Sequence, residues 1–132
     1  QSGALVNWQL MANTASGAGA NFDQIVVNGV LDFAGPITLD LSFAGLGSSV
    51  NWTDTFWNQS HSWTIFDTTT TPLNLSNLAL NGTTWLDSQG NDFATTLAGA
   101  TLALELDGTD ITLRYTAVPE PSTYALIALG LG

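Results

Sequence analysis

The stretch LALELDGTDITLRY, residues 102–115, carries two runs of strict alternation on either side of a turn. Leu102, Leu104 and Leu106 alternate with Ala103 and Glu105, and Ile111, Leu113 and Tyr115 alternate with Thr112 and Arg114. Successive side chains of a strand point to opposite faces, so each run presents one apolar and one polar face. Asp107-Gly108-Thr109-Asp110 between the runs predicts a hairpin.

The same two-residue period recurs outward from this hairpin. Ile37, Leu39, Leu41 and Phe43 alternate with Thr38, Asp40 and Ser42. Further strands are expected at 4–11, 22–27, 30–33, 63–66, 73–80 and 83–86, punctuated by Asn28-Gly29, Gly35-Pro36, Asn81-Gly82 and Gly90-Asn91. Helical periodicity appears over no useful length, and the Thr68–Thr71 run reads as an extended edge. Short strands at this spacing predict an all-β, antiparallel β-sandwich of jelly-roll type. The alternative is a short right-handed β-solenoid, because 22–27, 30–33 and 37–43 follow one another across tight glycine turns. Three parts are expected: 1–20, a strand on a Ser/Gly-rich flexible linker, open to exchange between subunits; 21–117, the β domain; and 118–132, an apolar tail.

Composition narrows the function. Hydrophobic residues make up 45% of the 132, enough for a core, whereas charged residues make up 9% against roughly 25% in ordinary domains. Arg114 is the one cation among eleven carboxylates, and the net charge is −10. Phosphate binding needs Lys and Arg, so nucleic acid is excluded as a partner and an anionic membrane surface is disfavoured. Cys is absent, which rules out disulfides and thiolate metal sites. Gln1-Ser2-Gly3 carries no region of a secretory signal, as expected of a mature exported chain, and no stretch reaches the ~20 apolar residues of a membrane helix.

Catalytic chemistry finds little support. His61 is the one histidine, and its neighbours Ser60 and Ser62 would point to the opposite face of a strand, so the three do not make a triad. Most of the Asp residues stand in or beside turns, where they bond nearby backbone N–H groups. No catalytic residues are assigned and no cofactor is expected, with Ca²⁺ at the Asp107/Asp110 turn as a weak candidate and Asp87 and Asp92 flanking a second turn. Trp52, Phe56 and Trp57 lie in a polar stretch and are the candidates for an exposed patch that stacks on sugar or a partner; burial in the core is the plainer reading. Asn51, Asn58, Asn74 and Asn81 each open an Asn-X-Ser/Thr acceptor sequence for glycan.

Val118-Pro119-Glu120-Pro121-Ser122-Thr123 leads directly into Tyr124-Ala125-Leu126-Ile127-Ala128-Leu129-Gly130-Leu131-Gly132. This end resembles the PEP-CTERM sorting signal of exported Gram-negative bacterial proteins, in which Pro-Glu-Pro precedes an apolar segment and a basic cluster. The resemblance implies export, processing by a sorting enzyme, and a place at the cell surface or in extracellular polymer, with the membrane met only in transit. The apolar run here is shorter than a span and the basic cluster is missing, as in a truncated or processed form. Phe22-Asp23-Gln24-Ile25-Val26-Val27-Asn28-Gly29, Gly35-Pro36-Ile37-Thr38-Leu39, Asp54-Thr55-Phe56 and Trp63-Thr64-Ile65-Phe66-Asp67 more distantly resemble the β-rich module that follows autotransporter-type β-strand repeats, a surface-display part without catalysis.

Together these readings predict a secreted structural subunit rather than an enzyme. It would self-assemble into a filament, sheath or matrix through strand edges and apolar ends: Ala4, Leu5, Val6, Trp8 and Leu10 at one end, and Tyr124, Leu126, Ile127, Leu129 and Leu131 at the other. A carbohydrate-binding or adhesive module, with extracellular polysaccharide as partner, is the alternative.

Overall fold

The computed structural model describes residues 4–81 and 84–118. Seven strands form among them: β1 (Ala4–Gln9), β2 (Ile25–Val27), β3 (Ile37–Ser42), β4 (His61–Thr68), β5 (Leu78–Leu80), β6 (Thr101–Asp107) and β7 (Asp110–Thr116). A 3-10 turn (Thr55–Asn58) precedes β4, a second (Leu75–Asn77) precedes β5, and a single helical turn, α1 (Phe93–Thr96), precedes β6. The chain is all-β with a sandwich-like arrangement of two sheets, ordered β1-β3-β5 and β2-β4-β7-β6.

Pairing within the sheets differs from the antiparallel expectation. β6 and β7 form the predicted hairpin, from Thr101 opposite Thr116 to Asp107 opposite Asp110, and β4 runs antiparallel to β7. β1, β3 and β5 are parallel to one another, and β2 is parallel to β4. Parallel partners need a crossover, and here the crossover is the other sheet: from β1 to β5 the chain alternates between the two layers. This winding is what the structure shares with the solenoid alternative, although residues 30–33, on which that reading leaned, form only the bridge of Asp32 to Leu73. Asn28-Gly29 accordingly marks a corner between layers rather than a hairpin, with Gly29 at φ 119°, a conformation that costs glycine least.

The inward columns build the core. Leu39 and Leu41 of β3 alternate inward, and Trp63 and Ile65 of β4 do the same. A register shift between Thr64 and Phe66 lets Ile65 and Phe66 both be buried, as a bulge does. Trp8, Trp52, Trp57 and Trp63 are each 1% exposed and join Phe33, Phe43, Phe93 and Tyr115 in one cluster. At about 25 cal/mol per Å², each buried indole contributes on the order of 4–6 kcal/mol of transfer free energy.

The segment expected as a flexible linker is fastened to the body. Met11 exchanges main-chain bonds with Asn21 and Ser49, and Asn13 Oδ1 accepts from the Asn51 N–H and from Trp57 Nε1, both at 2.9 Å. Trp63 Nε1 donates to Thr14 O at 2.9 Å, and Trp8 Nε1 donates to Asp23 O at 2.7 Å. Two indole N–H groups thus hold this stretch, a third ties β1 to Asp23 beyond it, and β1 is seated in its own chain's sheet.

Candidate functional site

β1 and β2 are outer strands, one in each sheet, and β5 and β6 are the outer strands at the opposite limit. β5 and β6 approach one another, and between them lies a cleft of about 190 Å³ lined by Leu75, Leu78, Leu104, Glu105, Leu106 and Ile111. The outer strands carry apolar side chains into solvent: Leu5 on β1 is 58% exposed, Val26 on β2 62%, and Leu106 on β6 44%. Such edges present unpaired backbone groups, and the usual protection by Lys is absent from a chain with none.

In a strand, alternate residues direct their backbone groups to alternate sides. The Leu10 N–H donates to Ser42 O in the strand next door, so Leu5, Asn7 and Gln9 turn theirs outward. At Gln9 the edge is closed by its own chain: Asp23 Oδ2 accepts the Gln9 N–H at 3.0 Å, and the Asp23 N–H donates to Gln9 O. The open part of β1 is therefore the stretch around Leu5 and Asn7.

The residues expected at assembly contacts divide. Ala4 and Leu5 are exposed and Val6 is half-buried, as an edge requires, whereas Trp8 and Leu10 are buried in the core and unavailable to a neighbour. Tyr124, Leu126, Ile127, Leu129 and Leu131 lie outside the described residues.

The candidate exposed patch at Trp52, Phe56 and Trp57 is corrected: Trp52 and Trp57 are buried in the core and Phe56 is half-buried against it. Trp52 and Trp57 pack edge-to-face with centroids 4.8 Å apart, and Phe56 lies against Trp57 and stacks on His61 at 3.7 Å. Polar residues close over them: Asn13 accepts the Trp57 indole N–H and Asp54 the Phe56 N–H, while Trp52 Nε1 is buried without a partner among the described residues. Asp87 anchors the Trp52 backbone from a neighbouring turn. Its carboxylate is 1% exposed and accepts the N–H groups of Trp52, Gln89 and Asn91, each at 2.9 Å, and the Asn91 side-chain amide at 3.2 Å. Burial alone would raise its pKa; the Trp52, Asn91 and Gln89 donors outweigh that and hold it below the ordinary carboxylate value. Tyr115, fully buried with its hydroxyl donating to Trp57 O at 2.6 Å, is pushed up by burial.

The remaining candidates are structural in their contacts. Asp107 and Asp110 face each other across the hairpin turn, but Asp110 Oδ1 already accepts the Thr68 N–H at 2.9 Å. Asp92 accepts from the Thr95 hydroxyl. Among the described residues no group of three or more His, Asp or Glu is placed to hold a metal. His61 Nε2 lies 2.7 Å from Phe56 O, and Ser60 Oγ accepts the Ala117 N–H, so neither faces the other as nucleophile and base. Of the four acceptor asparagines, Asn58 is exposed, Asn51 is engaged with its own Thr53, Asn74 donates to Asp32 at 2.7 Å, and Asn81 reaches Asp40 at 3.4 Å. Sequence reading placed Asp87 at its turn, where it does bond Gln89 and Asn91, but missed its bond to the Trp52 N–H and missed Asn13, whose partners Asn51 and Trp57 are equally remote; these contacts span 35–44 residues with no local signature.

Compared with protein-family models, with curated proteins and with solved structures, the chain has no match. The fold and the edges define a class only: an all-β, two-sheet sandwich-like protein with open strand edges.

Proposed function

We propose that this protein is a secreted structural subunit that associates with copies of itself, through strand edges and apolar-tail contacts, into extracellular filament, sheath or matrix. The observation that carries this reading is that the outer strands bear exposed Leu5, Val26 and Leu106, left uncovered by the other described residues. Exposed apolar strand edges pair with other chains unless charge, proline or a covering element stops them. Export rests on the resemblance of residues 118–132 to a PEP-CTERM signal. The carbohydrate-binding alternative has lost Trp52 and Trp57 to the core, and with them its stacking platform.

Electron microscopy and sedimentation of the purified chain test the proposal. Filaments, or a mass that grows with concentration, support it; a monomer at every concentration sinks it. Deleting residues 119–132 separates the two kinds of contact: loss of polymers assigns a share to the tail, and unchanged filaments leave the edges as the whole mechanism.

A further inference from the structure

The two ends of the sandwich match each other. β1, β3 and β5 all run the same way, so the outer edge at one limit of the first sheet is parallel to the outer edge at the other. In the second sheet β2 is parallel to β4, β7 is antiparallel to β4, and β6 is antiparallel to β7; β6 therefore runs with β2. A second copy related by translation would set its β1 beside β5 and its β2 beside β6, continuing both sheets with parallel pairs and no reversal.

The side chains agree with that stacking. One column runs Ile25, Phe66, Ile111, Leu106; its middle members are buried and its ends are 41% and 44% exposed. It is a core column cut at both ends. A second column places Asn7 beside Asp40, whose carboxylate is reached by Asn81. Its charged member lies inside and an amide stands at each end, so copies in line bring Asn81 to Asn7 with no acid facing an acid. Amide ladders of this kind favour parallel, in-register stacking. Aliphatic side chains protrude at the β1/β2 end, and the cleft of about 190 Å³ at the β5/β6 end exceeds the roughly 150 Å³ cavity that holds a benzene.

We infer that a second copy of this chain docks head-to-tail, its β1/β2 edge on the β5/β6 edge. The inference rests on the self-assembly reading and adds its polarity: a heterologous contact that does not close on itself grows without limit.

Complementary blocked variants test it. Leu5→Lys with Val26→Lys blocks one end, and Ala79→Lys with Leu106→Lys blocks the other. All four sites are exposed, and each Lys lowers the net negative charge, so lost assembly is not general repulsion. Each variant alone should sediment as a monomer, and an equal mixture should give a species of twice the monomer mass and nothing larger. A variant that dimerises by itself, or a mixture that stays monomeric while the unaltered chain polymerises, overturns the polarity but not self-assembly; a monomeric unaltered chain overturns both.

A crosslink supplies the second measurement. Asn7 and Asn81 flank Asp40 two strand spacings apart, about 9.6 Å and beyond disulfide reach within one chain. In this cysteine-free chain, Asn7→Cys with Asn81→Cys should oxidise to a ladder of multimers, and either substitution alone should give none. Dimers from Asn7→Cys alone overturn head-to-tail stacking.

Discussion

The aromatic centre and the β1/β2 edge both carry apolar side chains and end in opposite conditions. Around Trp52 the rings of Phe43, Trp57 and Phe93 stand 4.8–5.2 Å away, mostly edge-on, and the surrounding backbone is tied to Asp87. At the edge, Leu5 and Val26 are more than half exposed, and the outward backbone groups of Gln9 are taken up by Asp23. Stability is thus concentrated away from the edge proposed to meet other copies. An edge strand can stay sticky only when the rest of the fold does not depend on covering it.

The largest effect that would break this contrast lies at the centre. Trp52→Ala removes the ring that links Phe43, Trp57 and Phe93, and should cost about 3–5 kcal/mol in urea-induced unfolding. A loss below about 1 kcal/mol would show that the cluster is not the stabilising centre.

Asp87→Asn comes next, at about 2–3 kcal/mol near neutral pH, because each carboxylate oxygen accepts two N–H groups and an amide nitrogen in place of either faces donors it cannot accept. The pH dependence sharpens it. A carboxyl held below its ordinary value of 3.8 in the folded state binds its proton more readily when unfolded, so its stabilisation is fully present above that value and is lost as pH falls through the lowered one. The unaltered protein should lose stability in that acid window, and Asp87→Asn should lose less of it there. Equal acid slopes for the two proteins would remove Asp87 from the account.

Legibility in the sequence followed the same divide. The β6–β7 hairpin could be read because everything it needs lies within sixteen residues: alternation, Asp107-Gly108, and a return run. The parallel sheet could not, since its partners are far apart in the chain, as Ala4 is from Ile37 and Ile37 from Leu78, and a turn such as Asn28-Gly29 looks the same at a hairpin and at a corner between layers. Trp52 and Trp57 were candidates for exposure because their neighbours are polar, with burial the plainer reading; they are buried, and the bond that anchors the Trp52 backbone comes from Asp87, 35 residues away. Leu5 was legible as an exposed strand residue and Trp8, which lies in the core, was misplaced, although both sit on one strand, because strand alternation sends them to opposite faces.

The smallest effect on folding should accompany a large effect on association. Leu5 is 58% exposed and outside the core, so Leu5→Ser should change unfolding free energy by within about 0.5 kcal/mol. The same substitution removes apolar area from the edge that stacking would bury and should shift assembly to higher protein concentration, read by light scattering. A Leu5→Ser chain that unfolds far more easily would mean that β1 depends on its exposed face, and the separation between a self-sufficient centre and a free edge would fail. Unchanged stability with unchanged assembly would keep the separation and move the contact surface off β1, toward β2 or the tail.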